Sequence, residues 1–195
     1  MSSDEELLKA FAGGDRQGLG QLAQRYERGL LDLGMAILGS RERAEDAVQE
    51  TWLRVVRYAR SFDGRSAVKT WLYRIAINRC RDLLADQPEP GSPLAADPPA
   101  QVESAADAAV RKDESAKLKR AVEALPLAQR EVVLLCYVQS LGHPQAAEVL
   151  DIPVGTVKSR LHSALEELRK RLSSDSERGP ESDLERQDTH REGQS

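Results

Sequence analysis

Five of the chain's nine prolines, Pro88, Pro90, Pro93, Pro98 and Pro99, crowd between Asp86 and Gln101. Each proline fixes φ and lacks a backbone N–H, so this stretch can neither continue a helix nor pair inside a sheet. Its Gly, Ser, Ala and Asp neighbours offer little to pack. It reads as an extended linker over 86–105. At ~3.1 Å per residue in a polyproline-like form, the sixteen residues from Asp86 to Gln101 can hold their two ends up to about 50 Å apart. Apolar residues on both sides recur every three or four positions, which is the helical period. The expected fold is therefore all-α: two small helical domains, 4–85 and 106–172, with a C-terminal helix-turn-helix in the second, and a polar tail over 173–195.

The first domain divides into four helices. Asp4 to Phe11 starts with acidic residues suited to the positive end of a helix, and Gly13-Gly14 breaks it. Asp15 to Leu38 carries Leu19, Leu22, Ala23, Tyr26, Leu30, Leu33 and Ile37 along one side, and Gly39-Ser40 ends it. From Glu42 to Arg60 the inward positions are Ala44, Val48, Trp52, Val55, Val56 and Ala59. Asp46, Gln49, Glu50 and Leu53 fall elsewhere on that helix. They form a mostly acidic patch with an apolar neighbour, which is either solvated surface or a docking face for a basic partner helix.

Asp63-Gly64 signals a turn, after which Ser66 is placed to cap a helix running to about Ala85. Val68, Leu72, Ile75, Ala76, Cys80 and Leu83 make its apolar stripe. Trp71, Arg74, Asn78 and Arg81 follow the same spacing on another face, joined by Lys69 and Tyr73. Rings that stack on bases, cations that meet phosphates and an amide that reads a base edge suit single-stranded nucleic acid. A half-buried Trp beside solvated Arg residues is the plainer alternative for this helix taken alone.

Beyond the linker, helix returns near Glu103 and is secure by Ser115, with Leu118, Ala121, Val122 and Leu125 on its apolar side. Pro126 interrupts it. A helix from about Leu127 to Gln139 follows, then the turn Leu141-Gly142-His143-Pro144, a short helix to Leu150, and a long one from Pro153 to about Leu172. Two helices separated by about three residues make a helix-turn-helix, whose second member normally enters the major groove of duplex DNA. In that member Val154, Val157, Leu161, Ala164, Leu168 and Leu172 form the buried seam. Gly155, Thr156, Ser159, His162 and Ser163 face away, flanked by Lys158 and Arg160. Small and polar residues allow close approach to base edges, and the cations reach phosphates.

Charge first argues against a nucleic-acid partner, because the net value is −4. The residues after Leu172 account for all of it, with seven acidic side chains against three Arg. The remaining body is neutral, so it would bind DNA weakly by itself. The tail has no hydrophobic period and reads as disordered. No apolar run approaches the ~18 residues of a membrane span, and the acidic, polar N-terminus predicts no signal peptide. Cys80 and Cys136 lack a CxxC pattern or a nearby His, so they read as small core residues of a reducing compartment. His143, His162 and His190 have no metal-ligand spacing, and no nucleophile–base pair or phosphate-cradling loop is evident. No cofactor and no catalysis are expected.

Several motifs, in order, resemble those of bacterial RNA polymerase sigma factors of the sigma-70 family, extracytoplasmic-function type. Asp46-Ala47-Val48-Gln49-Glu50-Thr51-Trp52 resembles the segment that docks on the clamp helices of the polymerase largest subunit. Phe62-Asp63-Gly64-Arg65-Ser66, followed by Thr70 through Asn78, resembles the segment that opens and reads the −10 element. Leu125-Pro126, Arg130-Glu131-Val132 and Ile152 through His162 resemble the domain that reads the −35 element. The resemblance covers about Leu7 to Leu172. It implies a cytoplasmic, bacterial initiation factor of the alternative, signal-responsive kind, which binds core polymerase and directs it to promoters.

In residue terms it implies polymerase contacts at Asp46, Gln49, Glu50 and Leu53. Single-stranded −10 contacts fall on Phe62, Gly64, Arg65, Ser66, Lys69, Trp71, Tyr73, Arg74, Asn78 and Arg81. Duplex −35 contacts fall on Gly155, Thr156, Lys158, Ser159, Arg160, His162 and Ser163. An anti-sigma factor is the further expected partner, and no membrane insertion is expected. Two departures stand out. Ser163 and Leu165 occupy positions where many members carry Arg, which predicts fewer phosphate contacts at −35. Gly142-His143-Pro144-Gln145-Ala146 replaces a common Ser-Tyr-Glu-Glu-Ile, which predicts less apolar packing for the first helix of the helix-turn-helix. A conventional duplex-binding regulator and a helical adaptor are the rival readings.

Overall fold

The structure, a computed structural model, describes residues 2–86 and 107–177. Most of the Pro-rich linker and all of the tail beyond Glu177 lie outside these residues. Eight α-helices and no strand are found among the described residues. In chain order they are α1 (Asp4–Ala12), α2 (Arg16–Leu38), α3 (Arg41–Tyr58), α4 (Val68–Ala85), α5 (Asp107–Glu123), α6 (Leu127–Val133), α7 (His143–Leu150) and α8 (Val154–Glu177).

Local chemistry sets most of the boundaries. Ser3 and Glu6 form a reciprocal capping box at the start of α1. The Asp15 carboxylate accepts the Gln17 N–H at 2.9 Å and caps α2. Gly39 ends α2 at φ 66°, a left-handed conformation that glycine adopts without a Cβ penalty. The α1–α2 crossing is close for a related reason. A Cβ on Gly18 would stand 2.4 Å from the Leu7 carbonyl oxygen. The expected Ser66 cap is not made: α4 starts from Ala67 with no side-chain cap, and its first N–H reaches the Glu5 carboxylate at 3.4 Å instead.

Other boundaries move by a turn. The third helix stops at Tyr58, and Ala59–Ser61 tightens into a 3-10 turn. The described part of the helix after the linker begins at Asp107, and its expected start near Glu103 lies outside the described residues. Residues 134–138 form a π-turn that extends α6, in which the Gln139 N–H bonds the Leu134 carbonyl. The last helix continues past Leu172 to Glu177, so the first residues assigned to a disordered tail are helical.

Two apolar clusters organise the molecule. The smaller joins Leu7 and Leu8 of α1 to Leu22, Val55, Val68 and Leu72. The larger does not respect the domain boundary: Leu33 and Ile37 of α2 and Tyr73, Ile77 and Cys80 of α4 belong to the same cluster as Val132, Leu135, Val149, Val157 and Leu161. The two halves, which the linker length allows to separate, therefore pack against one another, with α4 against α7 as a main contact. Some expected core positions change sides. Val56 (50% exposed) and Leu118 (48% exposed) face outward, while Ala47 and Thr51 are buried on α3.

Candidate polymerase and nucleic-acid interfaces

On α3 the acidic patch lies at the surface. Asp46 and Gln49 are exposed, Glu50 is partly covered, and Leu53 is 57% exposed. Arg54 Nε sits 3.0 Å from the Glu50 carboxylate one turn back, which neutralises part of the patch. Gln49 and Leu53 are also on the wall of an open groove between α2 and α3. Leu31, Val48, Trp52 and Val56 line it together with Glu27, Arg28, Arg41 and Glu45, so its charged residues balance, and Arg41 pairs with Glu45 at 2.8 Å. The apolar part of this groove is larger than Leu53 alone, and the spacing of Leu53 and Val56 along α3 was its available signal.

The face of α4 and the loop before it divide into two parts. In the loop, Gly64 has φ 71° and the Arg65 N–H bonds the Asp63 carboxylate at 3.1 Å, the turn that Asp-Gly predicts. The Arg65 guanidinium reaches the same carboxylate at 3.0 Å and stays exposed. Phe62 and Trp71 pack together, ring centroids 5.1 Å apart at 48°, and both, like Ser66, are partly accessible. This apolar wall with Asn78 exposed one face along is the open part of the surface.

The cations and the phenol are bonded to the second domain, although Arg74 and Arg81 keep 41% and 35% of their side chains in water. Lys69 Nζ donates to the Gln139 carbonyl at 2.6 Å. Arg74 Nε donates to the Glu148 carbonyl at 3.0 Å. Arg81 donates through Nε and Nη2 to the two carboxylate oxygens of Glu131, each at 2.7 Å. Glu131 is 2% exposed, so this bidentate pair lies at the edge of the common core. Tyr73 departs most from its expected place. It is 2% exposed, its hydroxyl donates to Gln139 Oε1 at 2.5 Å, and Gln139 Nε2 donates to the Gly29 carbonyl at 3.1 Å. Burial pushes the Tyr73 hydroxyl up to about 12, with Asp32 adding to the effect. The signal that Tyr73 belongs to a core lay in Ile77 one turn on, since both extend the apolar stripe sideways.

The helix-turn-helix is formed by α7 and α8. Gly142 N–H bonds Gln145 Oε1 at 2.9 Å, which starts α7 despite its unusual sequence. Asp151 ends it at φ 55°, and the chain turns through Ile152 and Pro153 into α8. The expected seam is buried at Val157, Leu161, Ala164 and Leu168, whereas Val154 stands partly exposed. Gly155, Lys158, Ser159, His162 and Ser163 are exposed, and Thr156 and Arg160 are partly so. Ser159 Oγ donates to the Thr156 carbonyl at 3.1 Å, and His162 Nε2 lies 3.5 Å from the Glu166 carboxylate. Lys158 is exposed, whereas the cations of α4 are bonded to the second domain.

Both cysteines are free, Cys80 buried and Cys136 partly so. No helix among the described residues is long and apolar enough to cross a membrane.

Comparison with known proteins places these surfaces in a family context. The family model "Sigma-70 region 2" matches residues 22–88, and "Sigma-70, region 4" matches residues 115–168. The chain is 35% identical over 171 residues to the ECF RNA polymerase sigma factor SigM of Mycobacterium tuberculosis, covering 87% of this chain and 85% of that one. It is 31% identical to the ECF RNA polymerase sigma factor SigW of Bacillus subtilis, covering 86% and 96%. Among solved structures it resembles CnrH in complex with the cytosolic domain of CnrY, at TM-score 0.70 and 24% identity, covering 89% of this chain and 99% of that one. It also resembles the sigma factor RpoE in complex with the anti-sigma factor NepR from Bartonella quintana, at TM-score 0.61 and 25% identity, covering 80% and 97%.

Proposed function

Because the chain belongs to the sigma-70 family of RNA polymerase sigma factors, in its extracytoplasmic-function type, we propose a division of labour among its surfaces. The protein is a transcription initiation factor that works with core RNA polymerase and directs it to promoter DNA. Residues 4–85 form the domain for polymerase docking and the −10 element, and residues 106–172 form the domain for the −35 element, with 86–105 joining them.

Asp46, Gln49, Glu50 and Leu53 dock on the polymerase, and the apolar floor at Leu31, Trp52 and Val56 widens that contact. An apolar groove beside the acidic Asp46–Glu50 patch suits an amphipathic helix with basic residues along one edge. The Phe62–Ser66 loop and Trp71, Arg74, Asn78 and Arg81 hold the displaced −10 strand. Taking a base out of the stack costs a few kcal/mol, offset by aromatic stacking worth ~1–3 kcal/mol per base. The adjoining Phe62 and Trp71 rings are the observation that carries this reading. Gly155 to Ser163 read duplex −35 DNA from the exposed face of α8. No step forms or breaks a covalent bond in this chain, which acts in the bacterial cytoplasm as an alternative, signal-responsive factor.

An anti-sigma partner is part of the reading. RpoE, a structural relative, is complexed with the anti-sigma factor NepR, and the open groove of α2 and α3 offers such a partner a surface. Reconstitution tests the main assignment. Core polymerase plus this chain is mixed with promoter fragments from genomic DNA, and strand opening is read by permanganate reactivity. Opening should depend on both components and fall at least about tenfold with Trp71→Ala or Asn78→Ala, the loss of one stacked base or one amide hydrogen bond. Unchanged opening in both variants refutes the −10 assignment.

A further inference from the structure

We propose that Glu5 is a positioning residue for the −10 surface: from α1 it supplies the N-terminal cap that α4 lacks, and so holds the Phe62–Ser66 loop ready for the strand while leaving the Ser66 hydroxyl to the DNA. This rests on the assignment of that loop and α4 to the −10 strand, and names what sets their geometry.

The first turn of α1 carries three acidic residues in a row, and each has its own task. The Asp4 carboxylate accepts from Arg25 Nη1 at 2.6 Å and from the Tyr26 hydroxyl, which fastens α1 to α2. Glu6 accepts the Ser3 N–H at 2.9 Å and closes the capping box of α1 itself. Glu5 reaches across to α4, where its Oε1 accepts the N–H of Val68, the first residue of that helix, at 3.4 Å. The receiving end needs such a group. Its N-cap is Ala67, whose methyl accepts no hydrogen bond, and its first turn contains no acidic residue. Unpaired amides at a helix start favour a carboxylate through hydrogen bonding and through the helix dipole. At 3.4 Å the bond is longer than usual, so the charge carries part of the effect.

Glu5 itself is exposed, so the packing behind it is what aims its carboxylate. Leu7 and Leu8 are buried in one cluster with Ala59, Val68 and Leu72, and Phe62 and Trp71 pack against that cluster. Both segments that flank the loop, Ala59 before it and Val68 after it, therefore rest on α1. Ser61 Oγ closes the turn ahead of the loop onto the Tyr58 carbonyl at 2.9 Å. Ser66 does not cap α4 and stays partly accessible. It is the nearest hydroxyl that could take over the cap if Glu5 were lost, and that role would withdraw it from a bound strand.

The test uses the full chain with core polymerase on a promoter fragment recovered by the reconstitution above. 2-Aminopurine is placed in turn at each position of the −10 strand, and its fluorescence reports a base leaving the stack. Core affinity and duplex affinity are measured in parallel. The variants are Glu5→Ala, Glu5→Gln, Ser66→Ala and the double Glu5→Ala, Ser66→Ala. Thermal melts confirm that each is folded, and Glu5→Gln decides the matter should Glu5→Ala not fold.

Glu5→Ala should slow opening about fivefold, the size of a lost helix cap, with core and duplex affinity unchanged. Glu5→Gln keeps an acceptor without the charge and should fall between Glu5→Ala and the parent. Ser66→Ala should slow opening in the parent chain but change it by no more than about twofold once Glu5 is gone, because the two residues then compete for one amide. Parental opening in Glu5→Ala, a Glu5→Gln chain no better than Glu5→Ala, or equal Ser66→Ala effects in both backgrounds overturns the proposal. So does a loss of opening matched by an equal loss of core affinity. Failure of the underlying −10 assignment looks different: Trp71→Ala and Asn78→Ala then leave the fluorescence change intact, which ends the Glu5 proposal as well.

Discussion

Arg81 on α4 and Glu131 on α6 meet through two parallel hydrogen bonds of 2.7 Å, although they are 50 residues apart and belong to different family domains. Glu131 is almost fully enclosed while Arg81 keeps about a third of its side chain in water. The Glu131 hydrogen bonds push the guanidinium further up from an already high value.

Removing the two partners is therefore unequal. Arg81→Ala leaves a carboxylate enclosed without its cation, a loss worth about 3–5 kcal/mol in a wholly buried pair. The exposure of Arg81 reduces this to about 1–3 kcal/mol. Urea unfolding of the full chain should show the lower midpoint, with Arg81→Lys recovering only part because it cannot make the fork.

Leu72 sits at 0% exposure in the cluster that joins α1, α3 and α4. Leu72→Ala should cost about 2–5 kcal/mol through lost transfer energy and the cavity left behind. The same unfolding experiment measures it, and a change below about 1 kcal/mol, within the roughly 0.5–1.5 seen for single-methylene cuts, contradicts the assigned packing.

Gly18 lets α1 and α2 cross closely. Gly18→Ala gains helix propensity but drives a methyl within 2.4 Å of the Leu7 carbonyl oxygen, a backbone atom that cannot turn aside. Hydrogen exchange should speed up through Leu7 and Leu8 while α8 keeps its protection.

Alkaline pH should loosen the protein. Burial, with Glu131 adding to it, pushes the Cys80 thiol from 9.0 to about 12, and burial first of all raises the Tyr73 hydroxyl from 10.0 to about 12. Between the ordinary and the raised values the unfolded chain has released these protons and the folded chain has not. Stability is therefore full below about pH 9 and falls as pH rises toward 12, by about 1.4 kcal/mol per pH unit for each group so held. Chemical unfolding from pH 8 to pH 11 checks the direction. Tyr73→Phe should remove one part of the slope.

The salt dependence of −35 binding tests the exposed face of α8. In the holoenzyme, replacing Lys158 and Arg160 together by Ala should weaken duplex binding and lower the slope of log affinity against log salt by about 0.9 for each phosphate no longer neutralised. Filter binding over a salt series gives both numbers. An unchanged slope removes these cations from the interface.

The sequence by itself determined the helical content and the order of the two family regions, region 2 before region 4. These depend on short-range rules: a repeat of three to four residues, Asp-Gly turns, and small polar residues at the head of a helix. It could not say that Tyr73 and Ile77 belong to a core rather than a surface, because an apolar residue beside a stripe looks alike in either place until its partner is known. Nor could it give Glu131 its cation. That pairing, and the bonding of Lys69 and Arg74 to the second domain, were decided by how two separate bundles pack together. Helical period is set within a turn, whereas a bond spanning 50 residues exists only once both bundles have formed and met.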